Sequence, residues 1–292
     1  MFIATLVADG LAGGQLSDAS DRLASSGCAP GPRQWLDEGR AADIAFDSNP
    51  DQARATLEGA FAATDVIVQP AAHREKKLLV ADMDSTMITV ECIDELADYA
   101  GIKGQIAEVT ERAMRGELDF AEALDARVAL LKDLEESAID RCLAERVRDT
   151  SGAATLVKTM AARGSTTVLV SGGFTRFAGP VGERLGFQRV IANVLEIAEA
   201  RLTGTVTKPI VDSATKETTL LAVREELGLA PAQTLAVGDG ANDLAMIRQA
   251  GLGVAYRAKP IVAAAAGARI DHTDLTTLLY AQGILRSEWV AA

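Results

Sequence analysis

Three cysteines in 292 residues, Cys28, Cys92 and Cys142, are too few and too scattered for a disulfide framework or a metal-ligand spacing. They read as small buried hydrophobes, and a reducing, cytoplasmic location is expected. No apolar run is long enough to span a bilayer. The opening MFIATLVADG has no basic residue ahead of its apolar stretch, so no secretory signal is expected either. Basic residues are in deficit, 29 against 41 acidic ones, for a net charge of −12. That balance argues against nucleic acid or an anionic membrane as partner. The two histidines, His73 and His272, have no partner pattern and receive no catalytic role. Internal repeats and low-complexity tracts are also missing. What remains, 48% hydrophobic and 24% charged residues, is ordinary for a soluble protein with a sizeable core, in two domains or one with an insertion.

Residues 1–72 have their own rhythm. Strands are expected at Phe2 to Val7, Gln34 to Asp37, Ile44 to Asp47 and Val66 to Gln69, and helices at Leu16 to Ser25 and Gln52 to Ala62. The βαββαβ order is the ferredoxin-like α+β arrangement, and it is similar to the ACT-type amino-acid-sensing module. The polar stretch Ala71 to Lys77 reads as a linker. A second domain is expected over 77–292. Its strands are Leu78 to Ala81, Thr166 to Val170, Val190 to Ala192, Thr234 to Val237 and Leu252 to Ala255, with helical patterns between most of them. That alternation predicts an α/β fold with a doubly wound, mostly parallel sheet. Ile93 to Arg148 reads as helical throughout, so a helical cap is expected at about 92–150, placed to act as a lid.

Four features carry chemistry. Asp82-x-Asp84-x-Thr86 follows the apolar run LLVA, Ser171-Gly172-Gly173 follows TTVLV, Lys216 stands in SATKETT, and Gly238-Asp239-Gly240-Ala241-Asn242-Asp243 follows TLAV. Strand ends of an open α/β sheet are where ligands bind. Two carboxylates at i and i+2 share a face and repel, which a divalent cation relieves. Each feature alone has a plain reading as a solvated strand end, a glycine turn or a surface lysine. In this order they resemble the haloacid dehalogenase superfamily of phosphotransferases.

The resemblance implies a role for each residue. Asp82 is the nucleophile that forms an aspartyl-phosphate, and Asp84 the acid and base that protonates the leaving alkoxide and then activates water. The Ser171 hydroxyl, the Gly172 N–H and the Lys216 ammonium neutralise the phosphoryl oxygens. Mg²⁺ is held by the carboxylates of Asp82 and Asp239 and the backbone carbonyl of Asp84, while Asp243 and Asn242 support the loop around it, Asn242 from the substrate side.

Within the cap, E-x-I-D-E-L at Glu91 to Leu96, followed by AMRGELDFAEALDARV, is similar to phosphoserine phosphatases. Phe120 and Arg127 are two helical turns apart and share a face, although an exposed helix surface explains Arg127 on spacing alone. The resemblance gives Glu91 the substrate ammonium, Arg127 its carboxylate, and Met114 and Phe120 an apolar wall. DHTDLTTLLYAQG, from Asp271 to Gly283, also resembles the bacterial enzymes. Ala123 stands where serine is usual, and Asp149-Thr150-Ser151-Gly152 lacks the usual proline. The resemblance implies Mg²⁺-dependent hydrolysis of O-phospho-L-serine to L-serine and phosphate, the last step of serine biosynthesis. A small-molecule substrate is thus expected, with no nucleic acid and no membrane partner; a homodimer is left open. A related phosphatase of another small phosphorylated amine, or an idle amino-acid sensor on this fold, are the alternatives.

Overall fold

A computed structural model describes residues 1–291 and, of Met114, the backbone alone. The chain opens with β1 (Phe2–Ala8), α1 (Gly13–Ser25), β2 (Pro30–Asp37), β3 (Ala41–Phe46), α2 (Pro50–Leu57) and β4 (Thr64–Pro70). The four strands form an antiparallel sheet in the order β2-β3-β1-β4. Alternation along β1 and β3 sends Ala4, Leu6, Ile44 and Phe46 to one face. There they pack on Leu16, Ala19 and Leu23 of α1 and Ala53 and Leu57 of α2. This is the expected ferredoxin-like order. β2 starts four residues earlier than the sequence pattern indicates, because Pro30 and Pro32 are tolerated on an edge strand, where a missing N–H breaks no ladder.

From β5 (Leu78–Ala81) onward the chain builds a six-stranded sheet. The cap follows directly, as α3 (Cys92–Tyr99), α4 (Lys103–Met114), α5 (Phe120–Ala129) and α6 (Ser137–Glu145). After it come α7 (Ala153–Ala162), β6 (Thr166–Phe174), α8 (Thr175–Leu185), β7 (Arg189–Asn193) and a hairpin of β8 (Leu195–Ala198) and β9 (Arg201–Val206). The rest is α9 (Ser213–Glu226), β10 (Thr234–Gly238), α10 (Leu244–Gln249), β11 (Leu252–Tyr256), α11 (Pro260–Ala265), β12 (Ala268–Ile270) and α12 (Thr277–Ala281).

The large sheet runs β12-β11-β10-β5-β6-β7, and every ladder in it is parallel. β5 is apolar without alternation because both its faces are covered: Leu79 and Ala81 join one core, Leu78 and Val80 the other. The chain adds β6 and β7 on one side of β5 and then returns to add β10 on the other. The crevice between β5 and β10 is therefore the switch point where such sheets bind ligands. Register sets the site: Ala81 stands opposite both Val237 and Leu169, so the residues after all three strands emerge at one edge.

The cap joins the core through two paired segments. Ile88 bridges Asp149, Thr89 N–H donates to Arg148 O at 2.9 Å, and Thr150 N–H donates to Met87 O at 3.0 Å. The expected helical stretch is thus four helices broken by turns. A strand pair that the pattern did not indicate, β8–β9, braces it: Asp133 N–H donates to Leu202 O and Leu202 N–H to Leu134 O, each at 2.9 Å. Among the described residues, no helix is long and apolar enough to cross a membrane.

Candidate active site

The strand β5 ends at Asp82, whose N–H continues the ladder by donating to Val237 O at 3.0 Å. The chain then turns through Met83–Met87 with Ser85 in the left-handed region, φ +55°, a conformation costly for a residue with a Cβ and concentrated at functional sites. The turn aims Asp82 and Asp84 into a cavity of about 510 Å³ between sheet edge and cap. Glu91, Phe120, Arg127, Gly172, Asp239 and Asn242 also line it.

Lys216 is not a surface lysine. Asp212 caps α9 by accepting from Thr215 N–H at 2.8 Å, and the helix that follows buries Lys216 on one face with Leu220 and Val223. Its ammonium lies 2.6 Å from Asp82 Oδ1 and 2.7 Å from Asp243 Oδ1. Burial opposes its charge, but the two carboxylates outweigh that and raise its pKa. Asp82 is itself pushed well up by burial and by Asp243, with Lys216 pulling the other way. Asp243 accepts from Gly240 N–H with its second oxygen at 3.0 Å, so one of its oxygens holds its own loop and the other holds Lys216 of α9.

Asp84 is pushed up to about 7 by burial first and by the Glu91 charge second, although it accepts from Cys92 N–H at 3.0 Å. A carboxyl with that pKa can give and take a proton near neutrality. Ser171 Oγ accepts from Gly173 N–H at 2.8 Å and points its hydroxyl at Asp84 Oδ2, 3.4 Å away. Asp239 is pushed up to about 6 by burial and by Asp243, and it accepts from Thr86 Oγ1 at 3.1 Å.

The opposite wall comes from the cap. Asp119 and Glu122 form a reciprocal capping box, with bonds of 2.8 and 2.9 Å, that starts α5 at Phe120. Two turns later Arg127 faces the same cavity, its Nε donating to Ala123 O at 3.2 Å. Burial lowers its pKa while the charges of Asp94, Glu91 and Asp84 oppose that. Phe120 lies over Gly172, where an added Cβ would sit 3.2 Å from the ring, so glycine is what lets the cap approach this closely. Glu91 accepts from Ser85 Oγ at 2.7 Å.

The structure thus gathers Asp82, Asp84, Glu91, Phe120, Arg127, Gly172, Asp239 and Asn242 around one cavity, with Ser171, Lys216 and Asp243 buried behind it. The side chain of Met114 lies outside the described residues. Ser85, Asp94, Thr110 and Lys259 also line the cavity, and sequence reasoning gave them no role. Asp94 lies inside the E-x-I-D-E-L motif and Ser85 inside D-x-D-S-T, a signal that was there; Lys259 has no local pattern.

As for a cation, one carboxylate oxygen each from Asp82, Asp239 and Asp243 lie within 4.8 Å of one another. These are hard oxygen donors, so the set fits a hard divalent ion.

Residues 79–248 match the haloacid dehalogenase-like hydrolase family. A phosphoserine phosphatase of Streptomyces coelicolor is 45% identical over 248 residues, which is 84% of this chain and 60% of that protein, so the chain spans less than two thirds of that relative. A crystal structure of a probable phosphoserine phosphatase from Vibrio cholerae superposes with a TM-score of 0.77 at 34% identity, covering 96% of this chain and 86% of that one. A HAD family hydrolase of Salmonella enterica serovar Typhi gives a TM-score of 0.86 at 26% identity, covering 99% of this chain and 100% of that one.

Proposed function

Because the chain belongs to the haloacid dehalogenase-like hydrolase family, we propose that it is a Mg²⁺-dependent phosphoserine phosphatase, releasing L-serine and phosphate from O-phospho-L-serine as the last step of serine biosynthesis. The observation that carries this reading is the polarity of the cavity. Asp82 and Asp84 stand at its sheet end, while Glu91 and Arg127, opposite in charge, stand on its cap side. A phosphoryl group at one end and an ammonium and a carboxylate at the other match that layout. Phosphoserine phosphatases among the relatives support the substrate.

In this mechanism a carboxylate oxygen of Asp82 attacks phosphorus, forming an aspartyl-phosphate as the bond to the serine oxygen breaks. Asp84, raised to about 7, supplies the proton to the departing alkoxide. The same carboxylate then takes a proton from the water that attacks phosphorus, and the acyl-phosphate bond breaks to free phosphate and Asp82. Lys216 holds Asp82 from behind, and with the Ser171 hydroxyl and Gly172 N–H it compensates charge on the phosphoryl oxygens. Glu91 receives the ammonium, Arg127 clamps the carboxylate, and Phe120 excludes water. Mg²⁺ would be held by Asp82, Asp239 and the Asp84 carbonyl, with Asp243 and Asn242 supporting that loop; when bound, it neutralises charge on nucleophile and phosphate.

We treat residues 1–72 and 77–292 as two domains, since each has its own sheet and apolar cluster, with the cap at about 92–150. A cytoplasmic site of action is supported by three free, buried cysteines. Phosphate release from a panel of small phosphomonoesters, with and without Mg²⁺, tests the proposal. Phosphoserine should lead the panel and need the metal; a different leading substrate, or equal turnover in chelator, would sink it.

A further inference from the structure

The run DHTDLT at residues 271–276 is used by none of the chemistry above, yet it sits at a junction. On one side is Asp65 of β4, a carboxylate 4% exposed. It accepts from the backbone N–H groups of Asp271 at 2.8 Å, His272 at 3.2 Å and Thr273 at 2.8 Å, and from Thr273 Oγ1 at 2.6 Å. Charge-assisted bonds of this kind are about twice as strong as neutral ones, and a buried carboxylate stripped of them is costly. The turn 271–273 is therefore held from the N-terminal sheet.

On the other side the same turn presents Asp274, whose Oδ2 accepts from Ser151 Oγ at 2.8 Å, while Leu275 N–H donates to Ser151 O at 3.2 Å. The next residue, Gly152, has φ +80° and packs so closely that a Cβ there would lie 2.7 Å from Thr276 N. No other residue type fits that approach without displacement. Ser151 directly follows Thr150, whose N–H is bonded to Met87 O, and Met87 ends the turn that carries Asp82 and Asp84. The contacts run unbroken from β4 to the two segments that join cap and core.

We propose that Asp65 is a positioning residue for the cap hinge: by fixing the 271–274 turn it fixes Ser151 and Gly152, and through them the paired segments 87–89 and 148–150. The N-terminal sheet in this way helps set where Glu91, Phe120 and Arg127 stand over the sheet edge. A chain of packed contacts of this kind transmits only if breaking either end loosens the same place.

Hydrogen exchange on the full chain tests this without assuming any substrate. Asp65→Asn should speed exchange in peptides covering 86–92 and 146–153 while leaving β5 and β10 unchanged. Ser151→Ala, which removes an exposed hydroxyl at the far end, should speed exchange at the hinge and also at 271–275. The activity arm rests on the proposed function: each variant should lower kcat/KM for O-phosphoserine on the order of threefold, and the double variant should fall no further than the worse single one. Unchanged hinge exchange in Ser151→Ala, uniform acceleration across the protein, or single losses that multiply in the double variant would each overturn the relay. If the wild type fails to hydrolyse O-phosphoserine, the function proposal falls while the exchange arm still decides this one. If Asp65→Asn does not fold, exchange and kinetics of Ser151→Ala decide it alone.

Discussion

The ammonium of Lys216 lies 2.6 Å from Oδ1 of Asp82, with the two side chains only 1% and 7% exposed. A cation this deep is retained because two carboxylates, Asp82 and Asp243, share it; each member of the trio would be expensive alone. The same contact pulls the Asp82 pKa down against the burial and the Asp243 charge that push it up, toward the ionised form that the proposed nucleophile needs.

Lys216→Met should therefore destabilise as well as inactivate. It leaves two buried carboxylates without their cation, a loss of roughly 3–5 kcal/mol when one partner of a buried pair is removed. Protonation relieves the surviving carboxylates, so the deficit measured by urea unfolding should be smaller at pH 5 than at pH 8. A deficit independent of pH would mean that packing, not charge, is what Lys216 supplies.

Asp82→Asn should leave the fold intact and lower turnover by on the order of 10⁴-fold or more, since an amide keeps the shape but cannot form the acyl-phosphate. The assay is phosphate release, with mass spectrometry to exclude deamidation back to aspartate. Appreciable turnover by the pure variant would remove Asp82 as nucleophile.

Metal and pH are linked through Asp84, raised to about 7, and Asp239, raised to about 6, both from a usual value of 3.8. Between about pH 4 and 7 the folded, metal-free protein holds protons that the unfolded chain has already released, so its stability falls as pH rises through that window. A bound divalent ion favours the ionised forms. Mg²⁺ should consequently raise the Tm more at pH 8 than at pH 5, and Asp239→Asn should cancel most of the rise. A thermal shift that is equal at both pH values, or that survives in Asp239→Asn, would contradict this assignment.

The parts of this site that were legible in the sequence are those whose chemistry sits at a strand end. Asp82, Ser171 and Asp239 each follow an apolar run, and a parallel sheet aligns such ends regardless of the distance between them in sequence. The β8–β9 hairpin was not legible because its turn breaks the usual residue rule: Glu199 and Ala200 both have positive φ, +49° and +59°, where glycine or asparagine is the usual signal. The left-handed Ser85 was hidden for the same reason. The bonds from Asp65 to residues 271–273 span more than 200 positions and leave no local trace. Lys216 was legible as a motif member but not as a buried residue, since α9 carries little amphipathic pattern around it.

Arg127→Ala should separate recognition from chemistry. Arg127 lines the cavity from the cap helix α5, its Nε bonded to Ala123 O of its own helix. If it clamps the substrate carboxylate, its loss removes charge-assisted bonds worth roughly 1.5–3 kcal/mol each. That is a fall of at least about tenfold in kcat/KM for O-phosphoserine, since about 1.4 kcal/mol is a factor of ten. O-Phosphoethanolamine has the ammonium without the carboxylate, so its turnover, poorer from the start, should hardly change. Wild type and variant assayed on both substrates form a cycle in which the carboxylate is the variable. Equal losses on the two substrates would assign Arg127 to holding α5 in place, because a structural defect in the cap cannot tell one substrate from the other. A loss confined to O-phosphoserine would identify the guanidinium as the group that reads the carboxylate.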